Sequence, residues 1–270
     1  MPLVLETCPA PNCNLTPRDV ESLLDHLAAY HAHFAPAFAR AKHAYWAAQY
    51  LRGLLSTCER NSIEPMALHL DLPIRPLQHF IGQSTWATAP LIAQHQALVG
   101  TTLGEPDGAF LVDECGVVKQ GHDSLGVAPQ YSGSVGKVAN SQVGVFLGYA
   151  SRKGYTLLDG QLCVPDAWFA DDHADKRTAT GMPATLTAQS KPEFALRLLQ
   201  QAVARRCLPA RWLAADAWYG NSPTLSRRGR RAGALVHDRH LDRYAGVAPP
   251  ASGRRSALSG APGANRRGAS

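Results

Sequence analysis

Ala109-Phe110-Leu111-Val112-Asp113-Glu114 is the stretch on which the fold turns. Four consecutive apolar residues, with an aromatic and a β-branched side chain among them, predict a short buried strand that stops at the acids. A second run, Arg211-Trp212-Leu213-Ala214-Ala215, also ends at an acid, Asp216. Between them, Gln142 to Ala150 is an almost continuous apolar strand. Tyr155-Thr156-Leu157-Leu158 and Gln161-Leu162-Cys163-Val164 flank Asp159-Gly160, which predicts a hairpin with a two-residue turn. Pro192 to Ala204 repeats apolar residues at helical spacing, with Phe194, Leu198, Leu199 and Val203 facing inward. Strands alternating with a helix imply a mixed α/β domain over residues 105–225.

Residues 1–15 form an irregular, Pro- and Asn-containing lead-in, and 16–104 are expected to be a helical N-terminal domain. Thr16-Pro17-Arg18-Asp19 is a helix start, with Thr16 as cap and Pro17 in the first turn. A second helix is expected over about 39–58. A third should open at Ser84 and close at Gly100, a residue type that suits the position just past a helix end. Residues 226–270 differ from everything before them: Arg, Ala, Gly, Ser and Pro dominate, and Lys, Glu, Ile, Phe and Trp are absent. Such a composition predicts a disordered Arg-rich tail. Its abrupt onset after Leu225 suggests a shift of reading frame in a GC-rich gene; a basic tail that contacts phosphate is the other reading.

The charge follows the same division. The chain carries +6 overall, but the tail holds ten Arg against two Asp, so residues 1–225 net −2. The basic isoelectric point therefore belongs to the tail and does not make the folded body a nucleic-acid binder. The six Cys residues, at 8, 13, 58, 115, 163 and 207, include no C-x-x-C pair, which argues against a zinc site. No long apolar run and no secretory leader is present, so a cytoplasmic protein is expected.

Two carboxylates at the ends of two apolar strands suit hard divalent cations, which prefer oxygen ligands. An Asp after a strand is also a common turn former, so either acid alone would mean little. Glu114, adjacent to Asp113, should point to the opposite face of its strand and act as a neighbour rather than a ligand. Asp171, Asp172 and Asp175 read as a solvated acidic loop, and His31, His33 and His43 as surface or cap residues without metal-binding spacing. Gly133-x-x-Gly136-Lys137 lacks the spacing of a phosphate-binding loop.

Longer blocks carry a resemblance. Phe110 to Gly121, Gly126 to Gly133, Gly136 to Phe146 and Ala214-Ala215-Asp216-Ala217-Trp218-Tyr219-Gly220 together resemble the catalytic blocks of DDE insertion-sequence transposases. Tyr50 to Leu55 and Ser62 to Ala67 resemble the N-terminal helical region of that superfamily, with the insertion-sequence 701 family the nearest subgroup. The resemblance spans about residues 20–225. It implies an RNase H-like catalytic domain, DNA (transposon ends and target) as partner, two Mg²⁺ or Mn²⁺ ions, and a homo-oligomer. It assigns Asp113 and Asp216 as the first two acids of the triad and suggests Lys119 and Lys137 as DNA contacts. The third acid of the superfamily is a Glu on a downstream helix, and no Glu follows Glu193. The expectation is thus an incomplete catalytic domain, inactive alone, with a non-catalytic DNA-binding or interaction module as the alternative.

Overall fold

A computed structural model describes residues 16–133, 135–216, 219 and 235–238. Five helices come first: α1 (Pro17–Phe34), α2 (Ala41–Leu54), α3 (Ile63–His69), α4 (Ile74–Gly82) and α5 (Thr88–Thr102). Then follow β1 (Ala109–Val118), β2 (Ala128–Ser132), β3 (Lys137–Ser151), β4 (Gly154–Cys163), α6 (Ala174–Ala179), α7 (Lys191–Ala204), β5 (Trp212–Ala215) and β6 (Leu235–Asp238). The six strands form one mixed sheet in the order β2-β3-β1-β5-β6, with β4 also paired to β3. The long strand β3 carries β2 along Lys137–Ser141 and β4 along Val143–Ser151, one after the other. It is antiparallel to β1, whereas β1–β5 and β5–β6 are parallel.

Helix α7 makes the connection that parallel pairing requires, since a strand can return beside its neighbour in the same direction only through a crossover. Its start is a capping box: the Ser190 N–H and Oγ–H both donate to Glu193 Oε2, at 2.8 Å each, and Pro192 occupies the first turn. Its inner face, Phe194, Ala195, Leu198, Leu199 and Ala202, packs on Phe110 and Val112 of β1, Val145 and Leu147 of β3 and Leu213 of β5. A second apolar cluster, Trp46, Ala67, Leu77 and Phe80, lies among α2, α3 and α4. Helix α5 joins the two regions, with Gln96 accepting from Arg205 Nη1 at 2.9 Å and His95 Nε2 lying 2.7 Å from the Leu157 carbonyl.

Several expectations need correction. Strand β1 does not stop at Asp113 but runs to Val118, because β3 pairs with its main chain as far as Val118 opposite Ser141. What ends near Asp113 is the pairing with β5, whose last step is Val112 opposite Ala215. Asp159-Gly160 is no turn: it lies inside β4, opposite Leu147 and Phe146, beside an irregularity at Leu147/Gly148. The glycine is there for packing, since a Cβ at 160 would fall 2.6 Å from the Phe146 ring. The actual turn lies at Arg152-Lys153, between β3 and β4. Gly100 sits inside α5, where a Cβ would lie 1.9 Å from the Cys207 carbonyl oxygen, so close approach rather than helix termination accounts for it. His43 is buried against the Phe80 ring instead of lying at the surface. Four residues of the expected disordered stretch, Leu235–Asp238, are strand β6, whose main chain pairs parallel with the edge of β5. The rest of 226–270, and the 1–15 lead-in, lie outside the described residues.

Candidate active site

Period-two alternation sorts the side chains of β1. Phe110 and Val112 are buried beneath α7, and Glu114 follows them on that face; Leu111, Asp113 and Cys115 take the other. Strand β5 alternates the same way, with Leu213 buried in the α7 core and Ala214 opposite. Leu111 is the register partner of Ala214, and Asp113 and Asp216 each follow the final paired step, Val112–Ala215. Asp113, within β1, and Asp216, just past the end of β5, therefore stand on adjacent parallel strands, whose ordinary spacing is about 4.8 Å. Both are exposed.

Each acid is oriented by a main-chain N–H. Glu114 N donates to Asp113 Oδ1 at 2.7 Å, and Tyr219 N donates to Asp216 Oδ1 at 3.0 Å. The second bond has the three-residue spacing of a helix cap, so Asp216 has a local structural role in addition to any other. Both bonds use Oδ1; no described residue bonds Oδ2 of either acid. Two exposed, pre-oriented carboxylates on neighbouring strands are suitable donors for a hard divalent cation. Among the described residues, no group of three or more His, Cys, Asp or Glu is placed to hold a metal ion. The acidic residues 171–175 do not form one either: Asp172 pairs with His173 at 2.8 Å, a bond that holds its carboxyl below the usual range.

Glu114 has more to do than sequence reasoning assigned. Its Oε2 forms a 2.7 Å ion pair with Lys191 Nζ at the start of α7, and the Tyr219 hydroxyl approaches the same oxygen at 3.4 Å. Tyr219 is fully buried. Burial, reinforced by Glu114 and Cys163, raises its pKa far above the ordinary tyrosine range. Cys163 is pushed up to about 11, chiefly by burial, with Lys191 opposing and Glu114 adding. A half-buried polar cluster thus lies under the strand that carries Asp113. Its signal in the sequence was faint, since Glu114 and Lys191 are 77 positions apart and only the fold brings them together.

Lys119 and Lys137 are elsewhere. Lys119 lies just past β1, its N–H bonded to the Asn140 carbonyl at 2.8 Å, and Lys137 opens β3 opposite Ser132. Phe146, the partner of Asp113, is nine residues along β3 from Lys137, roughly 30 Å of strand. Gly133 and Gly136 form the β2–β3 turn, with Gly136 at φ 65°. None of the cavities of about 680, 410 and 350 Å³ borders Asp113 or Asp216.

The sheet order, the parallel β1–β5 step and the paired acids stand beside a match to the DDE superfamily endonuclease family over residues 33–264. The chain belongs to the DDE superfamily endonucleases. The match continues past Ser226, where the composition changes, and takes in strand β6. No curated protein matches the chain. Endonucleases of this superfamily act on DNA and generally use divalent metals. None of the described helices is long and apolar enough to cross a membrane.

Proposed function

We propose that this DDE endonuclease chain is a transposase of the insertion-sequence 701 type, in which Asp113 and Asp216 supply two carboxylates of the metal-binding centre. The observation that supports this reading is the parallel register, in which both acids follow the last paired step, Val112–Ala215, and both are exposed. The six-stranded order, with β1 central and antiparallel to β3 but parallel to β5, is consistent with an RNase H-like catalytic domain behind a helical N-terminal domain. When bound, two Mg²⁺ or Mn²⁺ ions would activate the attacking oxygen and stabilise the leaving one. The protein's own part is to hold the acids: Glu114 N–H and Tyr219 N–H aim them, and the Glu114–Lys191 pair braces β1 from beneath. Lys119 and Lys137 would meet backbone phosphates roughly 20 and 30 Å along the strands from Asp113. On this reading cleavage needs a third carboxylate that no Glu after Glu193 supplies, so any nicking by the chain alone is weak; the chain works in the cytoplasm and acts as a homo-oligomer on transposon ends and target DNA.

Asp113→Ala and Asp216→Ala should each lower Mn²⁺-dependent nicking of transposon-end DNA at least ~100-fold, and each should weaken Mn²⁺ binding in calorimetry. Nicking and Mn²⁺ affinity equal to wild type in both variants would remove the assignment. A second reading is favoured by the absence of a three-carboxylate group among the described residues. There the chain binds DNA without cutting it and competes with an intact transposase. Tight binding to transposon ends without nicking at any Mn²⁺ concentration would select that alternative.

A further inference from the structure

Helices α3 and α4 are joined by only four residues, Leu70–Pro73. The turn passes through Asp71 at φ 52°, a left-handed conformation that Asp is among the few non-glycine residues to adopt. Both helices rest on α2, with Trp46, Ala67, Leu77 and Phe80 forming the shared core. Phe38 and Trp86 close it, the Trp86 ring stacked on Phe80 at 5.8 Å. A helix, a tight turn and a second helix supported by a third is the arrangement by which proteins present a helix to the major groove of DNA.

The outward side of α4 has the chemistry for that task. Leu77 and Phe80 point into the core, which leaves Arg75, Gln78 and His79 exposed. Arg and Gln read guanine and adenine edges through paired hydrogen bonds. The His79 ring is steadied by a 3.0 Å contact between its Nδ1 and Ser84 Oγ. Beside α4, helix α2 starts at Ala41 with no acid in its first turn and no side-chain cap. Arg40 and Lys42 from that start, together with Arg75 and His79, border a cavity of about 350 Å³ whose lining includes no carboxylate. In a body that nets −2 over residues 1–225, this is a local concentration of positive charge. Asp71 and Glu64 do not line this cavity; Glu64 lies with Arg60 and Gln78 on the cavity of about 680 Å³ along the other flank of α4.

We propose that α4 is a DNA-reading helix, with Arg75 and Gln78 directed at base edges and Arg40 and Lys42 at the phosphates of the same duplex. The proposal rests on the reading that this chain acts on DNA, but it concerns binding and is independent of the acids on the sheet.

The test uses the full chain and a fluorescein-labelled duplex of mixed sequence, followed by anisotropy across a salt series, with a random duplex pool to find preferred sites. Lys42→Ala should lower the slope of log affinity against log salt by about 1. Arg75→Ala should weaken binding to a selected site about tenfold and relax the preference at one base position. Arg40→Glu, Lys42→Glu and Arg75→Glu combined should abolish binding, while Lys153→Ala, an exposed basic residue elsewhere, should change nothing. Circular dichroism and cooperative melting of the triple variant exclude unfolding as the cause. A folded triple variant that binds as wild type does, or a wild-type chain that binds no duplex at low salt, would overturn the proposal. Asp113→Ala separates the two readings: unaltered binding with lost nicking supports both. Unaltered nicking in Asp113→Ala would sink the catalytic reading alone.

Discussion

The two faces of β1 behave differently although they alternate residue by residue. On one, Phe110 and Val112 are sealed under α7, and Glu114 meets Lys191 and the edge of buried Tyr219. On the other, Leu111 is half-covered and Asp113 and Cys115 are exposed. The covered face holds the sheet to its helix through burial. The open face contributes little to stability, and so can carry acids whose mutual repulsion would be costly in a core. This contrast explains how one strand can be at once a central structural element and the platform of the candidate centre.

Substitutions on the two faces should therefore separate stability from activity. Leu199→Ala, which empties the α7 core, should cost about 2–5 kcal/mol in denaturant unfolding; a loss below 1 kcal/mol would mean that α7 does not hold the sheet. Next comes the alkaline behaviour of Cys163, whose pKa in the folded chain is raised to about 11 from the ordinary 9.0. A raised value means that the thiol's contribution is fully present below pH 9 and is lost as pH rises towards 11. A decline of about 2 kcal/mol across that window is expected from the thiol, and Cys163→Ala should remove the part between pH 9 and 10, leaving above pH 10 the part due to buried Tyr219. Alkylation sharpens the same contrast: exposed Cys115 should react quickly at neutral pH and buried Cys163 slowly, as peptide mapping by mass spectrometry would reveal.

Smaller effects follow. Lys191→Ala leaves Glu114 without its ion-pair partner in a half-buried setting, and should cost about 1 kcal/mol in the same unfolding experiment. Asp113→Ala should shift stability by no more than about 0.5 kcal/mol, although it is expected to remove activity. A large stability loss in Asp113→Ala would break the comparison, because it would place the acid among the structural groups.

The sequence was most legible where burial is local. The apolar runs at 109–112, 142–150 and 212–215 are strands, and the periodic segment 192–204 is a helix, α7. It was least legible where one element borrows its form from another. Asp159-Gly160 has the composition of a turn, yet β3 holds it in extended pairing and the Phe146 ring occupies the space a side chain would need. Helices α3 and α4 are short, and Pro65 and Pro76 within them blur the helical period; they owe their stability to the shared core with α2. Asp113 and Asp216 could be singled out as residues following apolar runs, but their pairing could not.

By itself the amino-acid order determined which segments are apolar, where acids interrupt them, and that α7 begins at a capping box, since all of these depend on neighbours within a few residues. Tertiary structure alone decided that β1 runs on to Val118, that β5 lies parallel to it so that Asp113 and Asp216 each follow the same paired step, and that Glu114 finds Lys191. The physical reason is that a strand's length and register are completed by hydrogen bonds from another strand. In this chain the partner that aligns the two acids is about a hundred residues away.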